Sequence, residues 1–473
     1  MGSLDISIIL LYFALIAGVG VLGAKRATNS EEYAVAGRNL NFPMYLGCMA
    51  ALMIGGASTL GTAKLGYQFG LSGIWMVTSI GIGVICLGVF LSKKILRLKV
   101  LTISEMLEER FSKETRLVSA LVSTLYTLML TVAQMIGLGS LLSVWLGWSL
   151  PLCIIVSAGV VFLYTMLGGM WSVTMTDIVQ FVIMTIGIFF IMLPTSLSKA
   201  GGWAAVQASV PPAYLDLANI GGDKVFQYLI LFTLGLMVGQ DIWQRLFTAR
   251  NLKISRQGAI WAGIYAILYA VALSIIGMCA FVLLPNIDDP QNTFAEMAVN
   301  FLPPGILGII LASIASAIMS TASGTIIACS TLISNDIIKR FFIPDMSEKK
   351  YLRVSRLTTV AIGVFSVVCA IWIQDILGAL DVAYAVLSGA LFFPIVFGLF
   401  WKRITARAAF YSIIASTAVI LGSLWVLGIT ATEPILYGLA TSLITIVLLS
   451  YMDSSSKKPQ RNDTDESKKI QVL

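Results

Sequence analysis

The chain has 473 residues, 58% of them hydrophobic and 12% charged, with a mean hydropathy of +0.90; a water-soluble domain of that length cannot enclose so much apolar surface. There is no histidine, which removes imidazole bases, histidine metal ligands and Ser-His or Cys-His nucleophile pairs, so hydrolase chemistry and other enzyme readings are disfavoured. The net charge of +7 would suit an anionic partner such as nucleic acid, but the basic residues stand in short loops beside hydrophobic runs and speak of topology instead.

Reading between charged loops, runs long enough to cross a bilayer, about 20 residues each, fall at 6–24, 42–66, 71–91, 117–146, 150–168, 178–197, 225–246, 259–284, 304–334, 357–373, 382–401, 408–428 and 435–451. The lengths predict an all-α membrane protein of about 13 transmembrane helices, since barrel strands would be roughly half as long and would alternate. The first run lacks a basic leader and a small-residue cleavage site and is expected to remain as a helix. Lys and Arg alternate between loops: Lys25, Arg26 and Arg38; Lys93, Lys94, Arg97 and Lys99; Arg245, Arg250, Lys253 and Arg256; Lys339 to Arg356; Lys402, Arg403 and Arg407. The positive-inside rule then places the amino terminus outside and the carboxyl terminus in the cytoplasm. The six cysteines lie singly in apolar runs, without CxxC spacing, and read as small buried hydrophobes. Residues 453–473 are polar and without periodicity, which predicts a disordered cytoplasmic tail.

Two runs carry interruptions. The second contains Ile54-Gly55-Gly56-Ala57-Ser58-Thr59-Leu60-Gly61, and the seventh contains Gly235 and then Gly239-Gln240-Asp241. Small residues also line ordinary helix contacts, but five runs separate this pair, as expected of an inverted repeat in which unwound segments expose backbone to a ligand. In the ninth run Ala317, Ser320 and Thr321 share one helix face; such hydroxyls also commonly bond back to the preceding turn.

Several motifs resemble the sodium:solute symporter family, the group of sodium-coupled proline, pantothenate, sugar and sialic acid carriers. They are Glu32 to Arg38, Arg97-Leu98-Lys99 with Thr102 to Glu105 and Glu109-Arg110-Phe111, and Tyr164 to Val173 continuing to Thr176, Asp177 and Gln180. Gln244-Arg245 with Ala249-Arg250-Asn251, and Phe400 to Arg403, complete the series. The resemblance implies a LeuT-like fold: a 5+5 inverted repeat over about 42–197 and 225–401, one extra leading helix and trailing helices, in a single transporter domain spanning 1–452. It implies a sodium-coupled importer of a small organic solute in the cell membrane. Lipid, sodium and solute are its expected partners, with no cofactor, no nucleic acid and no obligatory protein partner. A proton-coupled or exchange carrier on the same fold is the rival; a membrane sensor or channel is a distant one.

The same resemblance assigns the sodium site to the carbonyls of Ala51, Ile54 and Ala317 and the hydroxyls of Ser320 and Thr321. By position, Ala57, Ser58, Thr59, Lys64, Gln134, Gln240, Trp243 and Ser388 are the expected substrate residues, with Asp241 nearby. Lys64 either attracts a carboxylate substrate or snorkels to the outer interface. Asp241 is expected to pair with Arg245 as a structural bridge, with substrate contact as the other reading. Ala57, where sugar carriers place a polar side chain, turns the expectation toward a carboxylate or amino acid.

Overall fold

The computed structural model describes residues 2–429, 431 and 433–453, apart from the side chains of Ala57, Val144, Leu163, Tyr164 and Leu167. Beyond Asp453 the expected tail lies outside the described residues. Everything described is helix or short connection except one parallel bridge, Leu40 with Ala249.

The elements that position the site are α1 (Ser3–Ala24), α2 (Phe42–Met53), α3 (Thr62–Phe69), α4 (Trp75–Cys86), α5 (Ile103–Arg110), α6 (Lys113–Leu146), α7 (Leu150–Thr185), α8 (Gly235–Val238), α9 (Gln240–Thr248), α10 (Leu252–Leu283) and α11 (Ile306–Thr331). They are followed by α12 (Glu348–Ile373), α13 (Ile376–Phe400), α14 (Ala406–Leu427) and α15 (Glu433–Met452). Local chemistry sets many starts. Asn41, Thr102, Ser112, Asn251 and Thr405 each accept a backbone N–H of the first turn of the helix that follows.

Among the described residues ten helices are long and apolar enough to cross a membrane, or eleven if Gly222–Val238 and Gln240–Thr248, bent by 47°, form one span. Two of the expected stretches are interrupted. The expected second run is divided at Ile54–Gly56: its first part is the 12-residue α2, and the remainder continues with the third run in Ser58–Leu98. The fifth and sixth runs are joined in α7, which is broken from within at Gly169, at φ +55°. A side chain there would also strike Tyr33, whose carbonyl oxygen would stand 2.5 Å from the added carbon. Only glycine meets both demands.

The bundle is ordered from centre to rim. Nine-tenths (89%) of the most apolar window of Ile306–Phe342 is buried, against 28% for α1 and α14, so α11 is the axis and the flanking helices face lipid. Large apolar side chains such as Trp372 and Trp425 stand almost fully exposed on that rim, as expected where the solvent is hydrocarbon.

The motif residues act as staples between elements. Trp171 Nε1 donates to the Glu32 carboxylate. Gln244 Nε2 donates to the Ala34 carbonyl at 2.5 Å and to Thr331 at 3.0 Å, Arg38 reaches the Val100 carbonyl at 2.8 Å, and Arg110 the Gly398 carbonyl at 3.1 Å. Gln244, Arg38 and Arg110 thereby satisfy backbone or hydroxyl groups near helix ends, where the ladder leaves them without a partner. The bridge at Leu40 and Ala249 is closed by Leu40 N–H to Thr248 O (2.9 Å) and Arg250 N–H to Leu40 O (3.1 Å). It ties the start of α2 to the end of α9, so the two interrupted segments share an anchor.

Candidate ion and solute site

The first interruption begins where Ile54 leaves the helical region, at φ −108° and ψ 83°. Its partner is α11. Ser320 Oγ lies 2.9 Å from both the Ala51 and Ala317 carbonyl oxygens, and Thr321 Oγ1 donates to the Leu52 carbonyl at 2.7 Å and is 3.5 Å from that of Ala317. Ser58, just past the break, donates to the Met53 carbonyl at 3.0 Å. A set of carbonyl and hydroxyl oxygens from two helices therefore converges beside Ile54, with no carboxylate among them. Such a set suits a small hard cation, whose ligands are oxygens. Among the described residues there is no cluster of three His, Cys, Asp or Glu able to hold a metal.

Gln134 of α6 locks the break from the other side. Its Oε1 accepts the Gly56 N–H at 2.7 Å, which satisfies a buried donor that helix interruption would leave unpaired.

Next to this lies a cavity lined by Gly55, Ser58, Gln134, Asp241, Thr321 and Tyr384, with apolar walls from Leu52, Met53, Leu130 and Leu236. Its volume is about 20 Å³, room for about one water, so the helices stand closed around it. Of the expected substrate residues, Ser58 and Gln134 face it. Thr59 instead bonds Tyr269 of α10 at 3.1 Å. Gln240 bonds the Ile103 N–H (2.8 Å) and the Leu101 carbonyl, Trp243 Nε1 donates to the Met237 carbonyl (2.9 Å), and Ser388 donates to the Leu231 carbonyl (2.8 Å). The polar atoms of these last four are committed to holding helices together. Lys64 of α3 is half-buried and does not line the cavity. The side chain of Ala57 lies outside the described residues.

The expected Asp241–Arg245 bridge is corrected. The Arg245 guanidinium turns to Asp177, with Nη2 to Oδ2 at 3.0 Å and both side chains buried, and its Nε donates to the Cys48 carbonyl at 3.2 Å. Asp241 accepts instead from the Tyr126 hydroxyl at 2.9 Å. The two residues are one helical turn apart in sequence, but Arg245 lies toward α2 and α7 while Asp241 lies toward the cavity. Tyr126 and Tyr384, whose rings meet edge to face at 5.5 Å, escaped the sequence reading. Tyr126, Leu130 and Gln134 recur at intervals of four on α6, and that spacing was a usable signal.

At the Lys- and Arg-rich end of the bundle, Asp336 accepts from Arg116 at 2.6 Å and from Thr102 at 2.9 Å. Glu108 of α5 bridges Arg116 (2.6 Å) and Arg340. Partial burial pushes the Glu108 carboxyl up, but the Arg340 and Arg116 guanidiniums outweigh it and hold the group below the ordinary glutamate range.

Interrupted helices clasping a buried polar centre define a class of multi-pass membrane protein in which ligands bind at the middle of the bundle. The profile of the Sodium:solute symporter family matches residues 33–416. The chain belongs to that family. It is similar to the sodium/glucose cotransporter of Vibrio parahaemolyticus, 26% identical over 506 residues that cover 96% of this chain and 91% of that one. It is similar also to the high-affinity proline transporter of Bacillus subtilis, 28% identical over 478 residues covering 95% and 97%. In three dimensions it matches a Na+-coupled sialic acid symporter solved substrate-bound and outward-open, with a TM-score of 0.84 at 20% identity, over 97% of this chain and all of the other. The architecture is thus LeuT-like.

Proposed function

We propose that the protein is a sodium-coupled symporter that imports a small organic solute across the cell membrane by alternating access. Its ion site is formed by the carbonyls of Ala51, Ile54 and Ala317 and the hydroxyls of Ser320 and Thr321. The observation that carries this reading is the approach of Ser320 and Thr321 to the carbonyls of Ala51 and Leu52 at 2.9 and 2.7 Å, across 269 residues of sequence. The chain then crosses the membrane thirteen times, with α2 plus α3 and α8 plus α9 each counted as one interrupted crossing and the two halves of α7 as two crossings. The Lys- and Arg-rich end faces the cytoplasm, and residues 42–197 and 225–401 form the two repeats.

An inward step of one cation down about 100 mV supplies about 2.3 kcal/mol, enough for roughly 50-fold accumulation before any chemical gradient of sodium is added. The ion neutralises oxygens that otherwise bond one another, and so favours the arrangement in which α2 and α11 are clamped. Solute beside the break then favours closure of the outer path, and loss of sodium to a sodium-poor interior releases both.

The test is uptake into proteoliposomes of the full chain, driven separately by an inward sodium gradient and by an inward proton gradient. Uptake of labelled amino acids or carboxylates that responds to sodium and to an inside-negative potential is expected; uptake driven equally by protons in sodium-free buffer sinks the reading in favour of the proton-coupled rival.

A further inference from the structure

We infer that the transported solute carries a cationic nitrogen, an ammonium or quaternary ammonium group, that is received by Asp241 against the ring of Tyr384. This deepens the symport reading and rests on it.

Asp241 is buried at 2% exposure and lines the central cavity, yet it forms no salt bridge among the described residues. The guanidinium one turn along makes its ion pair with Asp177 and its Nε bonds the Cys48 carbonyl, so it gives the cavity carboxylate no direct partner. No Lys or Arg lines the cavity. Two features favour the ionised acid: the Tyr126 hydroxyl donates to it at 2.9 Å, and it occupies the first turn of α9, a nine-residue half-helix whose N-terminal dipole favours negative charge.

A carboxylate held in a dry cavity is costly without a counter-charge. The proposed sodium site adjoins the cavity, which Thr321 and Leu52 also line. A monocarboxylate entering the cavity would face Asp241 with no cation of its own. A cationic nitrogen supplies the missing partner, and Tyr384 offers it an aromatic face. The opposite wall suits a second, electron-rich group: Gln134 gives its oxygen to the Gly56 N–H, which leaves its amide N–H groups as donors toward the cavity. Zwitterions such as amino acids and betaines fit both walls; simple cations fit one. The half of the sequence expectation that pointed to plain carboxylates is therefore set aside.

The experiment measures thermal stability of the purified full-length protein in detergent. Sodium is added first, and then proline, glycine betaine, choline, lactate or pyruvate is titrated in, for the wild type, Asp241→Asn and Asp241→Glu. Sodium alone should raise the melting temperature of all three, which reports an intact fold and ion site. One or more of the nitrogen cations should raise it further in the wild type. Asp241→Asn should weaken that response by more than about tenfold in half-saturating concentration, with partial recovery in Asp241→Glu. Stabilisation by lactate or pyruvate alone, a sodium-stabilised protein on which none of the nitrogen cations acts, or an unchanged nitrogen response in Asp241→Asn would overturn the inference and leave the symport reading standing. Loss of the sodium response in the wild type would instead overturn the ion site itself.

Discussion

Gly55→Ala and Gly56→Ala form a paired perturbation of the interrupted helix, and the geometry separates them sharply. A carbon added at Gly55 would stand 2.5 Å from Gln134 Oε1 and 2.9 Å from Thr321 Oγ1. Ordinary contact begins near 3.4 Å, so Gln134 must retreat by about 0.9 Å and Thr321 by about 0.5 Å. Gln134 is also the acceptor of the Gly56 N–H, and its retreat strands a buried donor at about 1–3 kcal/mol. Crowding itself costs about 1–3 kcal/mol. The total, roughly 2–6 kcal/mol, is a large part of a typical folding stability of about 5–15 kcal/mol. At Gly56 the nearest atoms are Ile318 Cγ1 at 3.3 Å and Gln134 Oε1 at 3.4 Å, and the backbone is already helical, at φ −58° and ψ −48°. That substitution should cost under about 1 kcal/mol. The assay is sodium-stimulated uptake per folded molecule, together with the sodium concentration for half-maximal rate. Gly55→Ala should raise that concentration roughly tenfold or more, because Thr321 is displaced, and should lower the yield of folded protein; Gly56→Ala should stay near wild type. Equal behaviour of the two variants, or a worse defect in Gly56→Ala, would refute the reasoning.

Three further outcomes are expected. Ser320→Ala and Thr321→Ala should each raise the half-saturating sodium concentration by roughly 10- to 100-fold, the worth of one oxygen bonded to a charge, and uptake kinetics at varied sodium with fixed potential would read this; insensitivity of both variants contradicts the ion site. Arg245→Met leaves the buried Asp177 carboxylate without its cation and should destabilise the fold by about 3–5 kcal/mol, with much of the loss recovered in the Arg245→Met, Asp177→Asn double variant, as followed by thermal melting in detergent. Glu108, held below the ordinary range by Arg340 and Arg116, contributes stability that is complete above its unfolded pKa of about 4.3 and is lost as pH falls through its lower folded value. Glu108→Gln should therefore flatten the acid limb of the stability profile between about pH 5 and 3, and an unchanged acid limb would exclude Glu108 as its source.

The membrane class, the approximate runs and the two interruptions were legible along the chain because they rest on local chemistry. A bilayer demands long apolar runs with internally satisfied backbone, and a Gly-Gly pair or a Gly-Gln-Asp step weakens a helix wherever it occurs. The pairing of Ala317, Ser320 and Thr321 on one face followed from helical spacing alone. Their partners across the bundle did not follow from spacing: Ser320 meets the Ala51 carbonyl and Thr321 that of Leu52, a matter of how deeply α2 sits against α11.

The lining of the cavity was the least legible part. Gln240, Trp243 and Ser388 stand at the interrupted segment or near it, yet their polar atoms bond Leu101, Ile103, Met237 and Leu231. Sequence spacing places a residue on a helix face, but which neighbour that face meets is a property of the packed bundle. For the same reason the sequence offered Asp241 and Arg245 as a pair one turn apart, and only the packing of α9 between α2, α7 and the cavity sends the guanidinium to Asp177 and leaves the carboxylate of Asp241 facing the cavity.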